Sequence, residues 1–151
     1  MNRAGREPAE DVKRRMVSAC QEVGLVVNHA NMQLDRASSQ RLVHVGASVA
    51  EWPHAVPTLS IMAWVPISGG HPQTVDIRCA GADEDPVLGN TLWMRGRGQV
   101  PFAQLIGELH DTLAERHQVL AFLRAGLPGP YRFEKTVWAG IDFCGDDAAD
   151  G

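Results

Sequence analysis

The sequence predicts a single two-layer α+β domain: a mostly antiparallel sheet of about five to six strands, with an N-terminal helix and a long late helix packed on one face. Three observations predict it. Apolar residues recur at helical spacing only near the N-terminus and again after Pro101. Elsewhere they alternate with polar residues in short runs, the pattern of strands with one buried face. The connections are short and rich in Gly, Pro and Asp, which favours antiparallel pairing over crossovers. On this division residues 1–7 are a flexible N-terminus, 8–144 the domain and 145–151 a disordered acidic tail.

The first helix has readable ends. Pro8 suits an early helical position, and Glu10 and Asp11 suit the electropositive first turn. Val12, Met16, Ala19, Cys20 and Val23 form its apolar stripe, and Gly24 closes it. Leu25 to Leu34 reads as a strand, with its turn at Asp35 to Gln40. From Arg41 to Glu51, Val43, Val45, Ala47 and Val49 alternate with His44, Gly46, Ser48 and Ala50, a half-buried strand. Trp52 to Pro57 must bend, because its two prolines lack ladder donors.

The next strand, Thr58 to Val65, places Leu59, Ile61, Ala63 and Val65 inward and Ser60, Met62 and Trp64 outward. Ser68 to Pro72 is a hairpin loop. Thr74 to Cys79 follows with Val75, Ile77 and Cys79 inward and Asp76 and Arg78 outward. Gly81 to Gly89 reads as an acidic loop, and Thr91 to Arg95 as a short strand with Leu92 and Met94 on the core side.

Pro101 opens the second helix, whose stripe is Phe102, Leu105, Ile106, Leu109, Leu113, Leu120 and Leu123. At ~1.5 Å per residue it runs ~37 Å to Ala125, long enough to suggest a bend near Arg116 to Gln118. Gly126-Leu127-Pro128 stops it. Arg132 to Phe143 then alternates as a last strand, with Trp138 outward.

The totals exclude several classes. The 151 residues suit one domain with a core of its own, and the net charge of -4 disfavours a general nucleic-acid binder. Only Lys13 and Lys135 are lysines, which deepens that case. The N-terminus has neither a signal peptide's apolar stretch nor a membrane anchor, and no run nears the ~20 apolar residues a spanning helix needs. Cys20, Cys79 and Cys144, odd in number and widely spaced, fit neither a disulfide framework nor a zinc knuckle, so a reducing cytoplasm is expected.

Functional candidates begin with three tryptophans. Trp64, Trp93 and Trp138 fall on the parity opposite the core residues of their strands. An indole left in water exposes roughly 150 to 250 Å² of apolar surface, so a cover is expected. With Met62, Arg78 and Arg95 these residues form a partner-binding surface, since Trp and Arg dominate interface hot spots. The competing expectation is that the loops at 51–57 or 81–89 fold over this face as a second small core.

A second candidate is Arg95-Gly96-Arg97-Gly98, where two arginines before the second helix could hold an anion at its N-terminus. It lacks the lysine and spacing of a phosphate loop, and a glycine-rich turn with solvated arginines is the plainer account. His110 and His117 lie ~10 Å apart along the helix, too far to share one metal. His29 and His44 sit in strands of unknown register.

No metal site and no cofactor motif is found. Ser48 in Gly46-Ala47-Ser48-Val49-Ala50 lacks a nucleophile elbow, and Cys79 reads as a buried structural thiol. Cys144 stands beside Asp146 and Asp147, which disfavour its thiolate. Glu108, Asp111 and Glu115 fall on the second helix's solvated side.

The expectation is therefore a small non-enzymatic protein-binding domain of immunity, antagonist or assembly-accessory type, as such domains occur in bacteria. Its partner is another protein or, as a homodimer, its own copy. The alternative is a small-molecule or anion-binding protein, or an enzyme without a motif, with its site between Trp93 and Gly98 and the second helix's N-terminus, a histidine carrying the proton.

Overall fold

The computed structural model describes residues 3–50, 57–84 and 91–125, with the backbone course alone given for 3–7, 82–84, 91–93, 119, 120 and 122–124. The chain forms helix α1 (Arg3–Glu22), strands β1 (Leu25–Asp35), β2 (Gln40–Val49), β3 (Leu59–Pro66) and β4 (Thr74–Cys79), and a short hairpin of β5 (Ala82–Glu84) and β6 (Thr91–Trp93). Strand β7 (Gly98–Pro101), a single 3-10 turn at Phe102–Gln104 and helix α2 (Leu105–Ala125) complete the described order. β1-β2-β3-β4-β7 make one sheet, antiparallel at every junction; β5 and β6 pair separately. This is the two-layer α+β domain that the alternation implies.

Period-two patterning decides the buried face. Val43, Val45, Ala47 and Val49 of β2 and Leu59, Ile61, Ala63 and Val65 of β3 are buried, joined by Val75 and Ile77 of β4 and Val100 of β7. Against them α1 presents Ala9, Val12, Met16, Ala19 and Cys20, and α2 presents Leu105 and Leu109, all in one core. α1 touches β1, β2, β3 and α2, while α2 touches β7, so both helices cover the same side.

Local chemistry sets the turns. In the β1–β2 turn the Asp35 carboxylate accepts the Ala37 N–H at 3.1 Å and the Ser38 hydroxyl at 2.8 Å, and Ser39 takes a left-handed φ of 56°. Gly69 and Gly70, at φ of 105° and 107°, let the β3–β4 loop reverse.

Several expectations change. α1 begins at Arg3, so Pro8 lies inside it and part of the expected flexible N-terminus is helical. In the second turn a proline has no N–H for the carbonyl four residues before it and crowds that carbonyl, so the turn ahead of Pro8 is the weakest of α1. The expected acidic loop at 81–89 contains β5, and β6 pairs with β5 rather than joining the main sheet. Gly98, expected in the glycine-rich turn at 95–98, and Pro101, expected to open the second helix, are the two ends of strand β7, and α2 starts only at Leu105.

α2 stays helical through residues 116–118, where its length suggested a bend. Its buried face turns on Leu105, Leu109, Thr112 and Arg116, leaving Ile106 38% exposed. Cys79 is disulfide-bonded, not a free core thiol, a bond that persists chiefly in oxidising surroundings. Among the described residues no helix is long and apolar enough to cross a membrane. The bend at 52–56, the expected strand at 132–143 and the acidic tail lie outside the described residues.

Candidate functional site

With both helices on one side, the residues of opposite parity on β2, β3 and β4 form an outer face that no described helix covers. Its unusual feature arises from β1. Strict alternation from Leu25 would send His29 inward with Val27, but the β1–β2 register shifts between Val27 and His29. This bulge absorbs one residue and reverses the parity beyond it. His29 therefore pairs with Gly46 on the outer side, while Ala30 and Met32 return to the core. The bulge is tied down by the Ser48 hydroxyl, which donates to Asn28 Oδ1 at 2.5 Å.

The bulge completes a polar row across four strands. His29 Nε2 of β1 lies 3.4 Å from His44 Nδ1 of β2, the rings meeting edge to face at 67° with centroids 4.8 Å apart. His44 Nε2 lies 2.6 Å from the Ser60 hydroxyl of β3. Ser60 in turn pairs in register with Arg78 of β4, whose Nε donates to Asp76 Oδ2 at 2.8 Å. Asp76 Oδ1 is buried without a hydrogen-bond partner.

Burial of its ring, and secondarily the charge of His29, hold His44 below the ordinary histidine pKa of 6.5. A neutral His44 has one ring proton. With that proton on Nδ1 it donates to His29 and accepts from Ser60; with it on Nε2 it donates to Ser60. The first tautomer links all three groups in one direction.

Beside this row the same face turns apolar. Leu42 pairs with Trp64, and His44 with Met62. Trp64 is 43% exposed, among the most exposed large apolar side chains described, while Leu42, Met62 and Pro66 around it are half-buried. Val26, at the edge of the sheet, is 49% exposed.

The remaining candidates are dispersed. Met62 and Arg78 stand on the outer face with Trp64. Trp93 belongs by its backbone to the separate β5–β6 hairpin, its side chain outside the described set, and Trp138 lies wholly outside the described residues. Arg95 lies against α2, its guanidinium 3.8 Å from Glu115.

Arg97 donates from Nε to the Thr112 hydroxyl at 3.0 Å and reaches Glu115 at 3.6 Å and Glu108 at 4.0 Å. Two of the acids expected on a solvated helix side thus neutralise these arginines. Gly96 packs against the β4 backbone, and Gly98 is within β7, so strand and 3-10 turn separate the expected anion loop from the start of α2. An anion there would compete with Glu108 and Glu115 for both guanidiniums.

His71 pairs with Asp11 at 2.9 Å, a hydrogen bond that is the main cause holding the Asp11 carboxyl below 3.8. Cys20 is buried, which pushes its thiol up to about 12 and makes it unreactive. Among the described residues no three His, Cys, Asp or Glu side chains converge as a metal site.

Sequence reasoning missed the meeting of His29, His44 and Ser60. All three were visible as polar residues in strands, but only lateral register and the bulge bring them together. Compared with protein-family models, curated proteins and solved structures, the chain matches none.

Proposed function

We propose that this is a protein-binding domain that engages another polypeptide through the outer face of its sheet, with Trp64 at the centre of the contact. The observation that carries the reading is Trp64 itself: 43% exposed, it lies among half-buried Leu42, Met62 and Pro66 on the face opposite both helices. Covering the exposed share of an indole removes roughly 65 to 110 Å² from water, about 1.5 to 3 kcal/mol at ~25 cal/mol/Å². A single contact of that size is hot-spot scale.

Arg78, exposed at the rim of the same face, supplies the polar border that such contacts have. A net charge of -4 works against stacking two copies of one acidic chain, and favours a partner of different charge.

Affinity purification with the intact chain, repeated with Trp64→Ala and Met62→Ala, tests this. A protein that the wild type retains, that both folded variants lose, and that rebinds when purified supports the reading. Retention of every bound protein by both variants removes it. Sedimentation of the chain alone separates self-association from partner binding.

A further inference from the structure

We propose that Ser60 is a nucleophile for acyl transfer, its hydroxyl activated by His44 and His44 positioned by His29, and that it accepts the acyl group of carboxylic esters with apolar acyl chains. The inference goes beyond partner binding and does not rest on it. It stands on the row described above. Ser60 Oγ lies 2.6 Å from His44 Nε2, inside the reach a general base needs. His44 Nδ1 lies 3.4 Å from His29 Nε2, which places that ring nitrogen as the acceptor that fixes the useful tautomer of His44. Burial keeps His44 unprotonated near neutral pH, ready to take a proton.

The step balances without any further reagent. Ser60 Oγ attacks the ester carbonyl carbon as its proton passes to His44 Nε2. The tetrahedral intermediate collapses, the C–O bond to the leaving group breaks, and His44 returns the proton to the departing alkoxide. Water, deprotonated by the same nitrogen, then attacks the acyl-Ser60 carbonyl; the bond between the acyl carbon and Ser60 Oγ breaks, His44 returns the proton to Oγ, and the carboxylic acid leaves.

Ser60 sits between β2 and β4 in the sheet interior, so its flanking backbone N–H groups serve the ladders. Charge on the acyl oxygen therefore falls to a side chain, and among the described residues Arg78, the register partner of Ser60, whose Nε is held by Asp76, is the cation placed for it. Met62, two residues along β3 and half-buried, provides the apolar floor for the acyl chain. Slow turnover with an activated ester is expected, since one cation replaces a pair of backbone donors.

The intact protein is incubated with a fluorophosphonate probe, which phosphonylates activated serines, and the adduct is mapped by mass spectrometry. Hydrolysis of p-nitrophenyl butyrate is followed in parallel. The proposal predicts an adduct on Ser60, and hydrolysis at least tenfold lower for Ser60→Ala and His44→Gln. The rate rises with pH as His44 loses its proton below 6.5.

Among the described residues, the charged or titratable groups facing His44 across the neighbouring strands are His29 on β1 and Asp76 and Arg78 on β4. His29→Ala removes the acceptor that holds the Nδ1–H of His44, so kcat falls with KM unchanged, and His29→Gln, whose amide oxygen can accept the same proton, restores part of the rate, which a merely structural role for His29 would not do. Should Ser60→Ala fail to fold, wild-type labelling decides. An adduct absent from the native protein's Ser60, or hydrolysis undiminished in folded His44→Gln, overturns the proposal.

Discussion

The imidazole of His29 lies directly over Gly46: a Cβ built there would collide with Cε1 and come within 2.9 Å of both ring nitrogens. Gly46 therefore makes the room into which the β1 bulge delivers His29, and through His29 it supports the position of His44.

Gly46→Ala should force the His29 ring aside and cost about 1 to 3 kcal/mol, as overpacking does. Chemical denaturation gives the loss, and NMR titration of His44 reports the broken contact. Unchanged stability together with an unchanged His44 titration would contradict this geometry.

His44 has a folded pKa lowered from 6.5. Between the folded value and 6.5 the unfolded chain binds more protons, so stability rises with pH across that window and is lost as pH falls through it. Asp11, depressed below 3.8 mainly by the His71 hydrogen bond, contributes stability above 3.8 that is lost as pH falls through its folded value. Denaturation curves collected across pH should show both windows. His44→Gln should flatten the upper one and His71→Ala the lower; a slope unaltered by either change would refute its assignment.

Arg97 ties the segment before β7 to α2 through Thr112, Glu115 and Glu108. Its side chain is only 20% exposed. Arg97→Ala should cost about 1 to 3 kcal/mol, since hydrogen bonds to charged groups carry that much. Arg97→Lys should recover little, because an ammonium lacks the forked donors that reach a hydroxyl and two carboxylates together. A double-mutant cycle with Thr112→Val measures the coupling; additivity would show that the two residues do not interact.

Met16 is fully buried between α1 and the sheet. Met16→Ala should destabilise by about 2 to 5 kcal/mol through lost burial and the cavity left behind. Ile106→Ala, on the exposed side of α2, should cost under about 1 kcal/mol. Thermal denaturation of the two variants checks that Met16 packs within the core and that Ile106 lies off it; equal losses would contradict this.

The layer arrangement was legible because period two is a property of each strand alone. Val43 to Val49 and Leu59 to Val65 mark their inner faces whatever their neighbours. The outer-face site was not, because His29 needs a bulge that no glycine marks, and the approach of His44 to Ser60 depends on how β2 slides against β3. β7 escaped notice for a different reason: Gly98-Gln99-Val100-Pro101 carries one inward apolar residue, Val100, too few to establish a period. On α2, spacing places Ile106 in the stripe, yet Thr112 and Arg116 take the buried positions, since Thr112 both bonds the Glu108 carbonyl at 2.9 Å and receives Arg97.

Trp64 is proposed to anchor another protein on the outer face of the sheet. Titration calorimetry with the purified partner, comparing wild type and Trp64→Ala at equal fold content by circular dichroism, tests it most directly. Kd should weaken at least tenfold, the equivalent of about 1.4 kcal/mol. A folded Trp64→Ala that binds as tightly as wild type would contradict it.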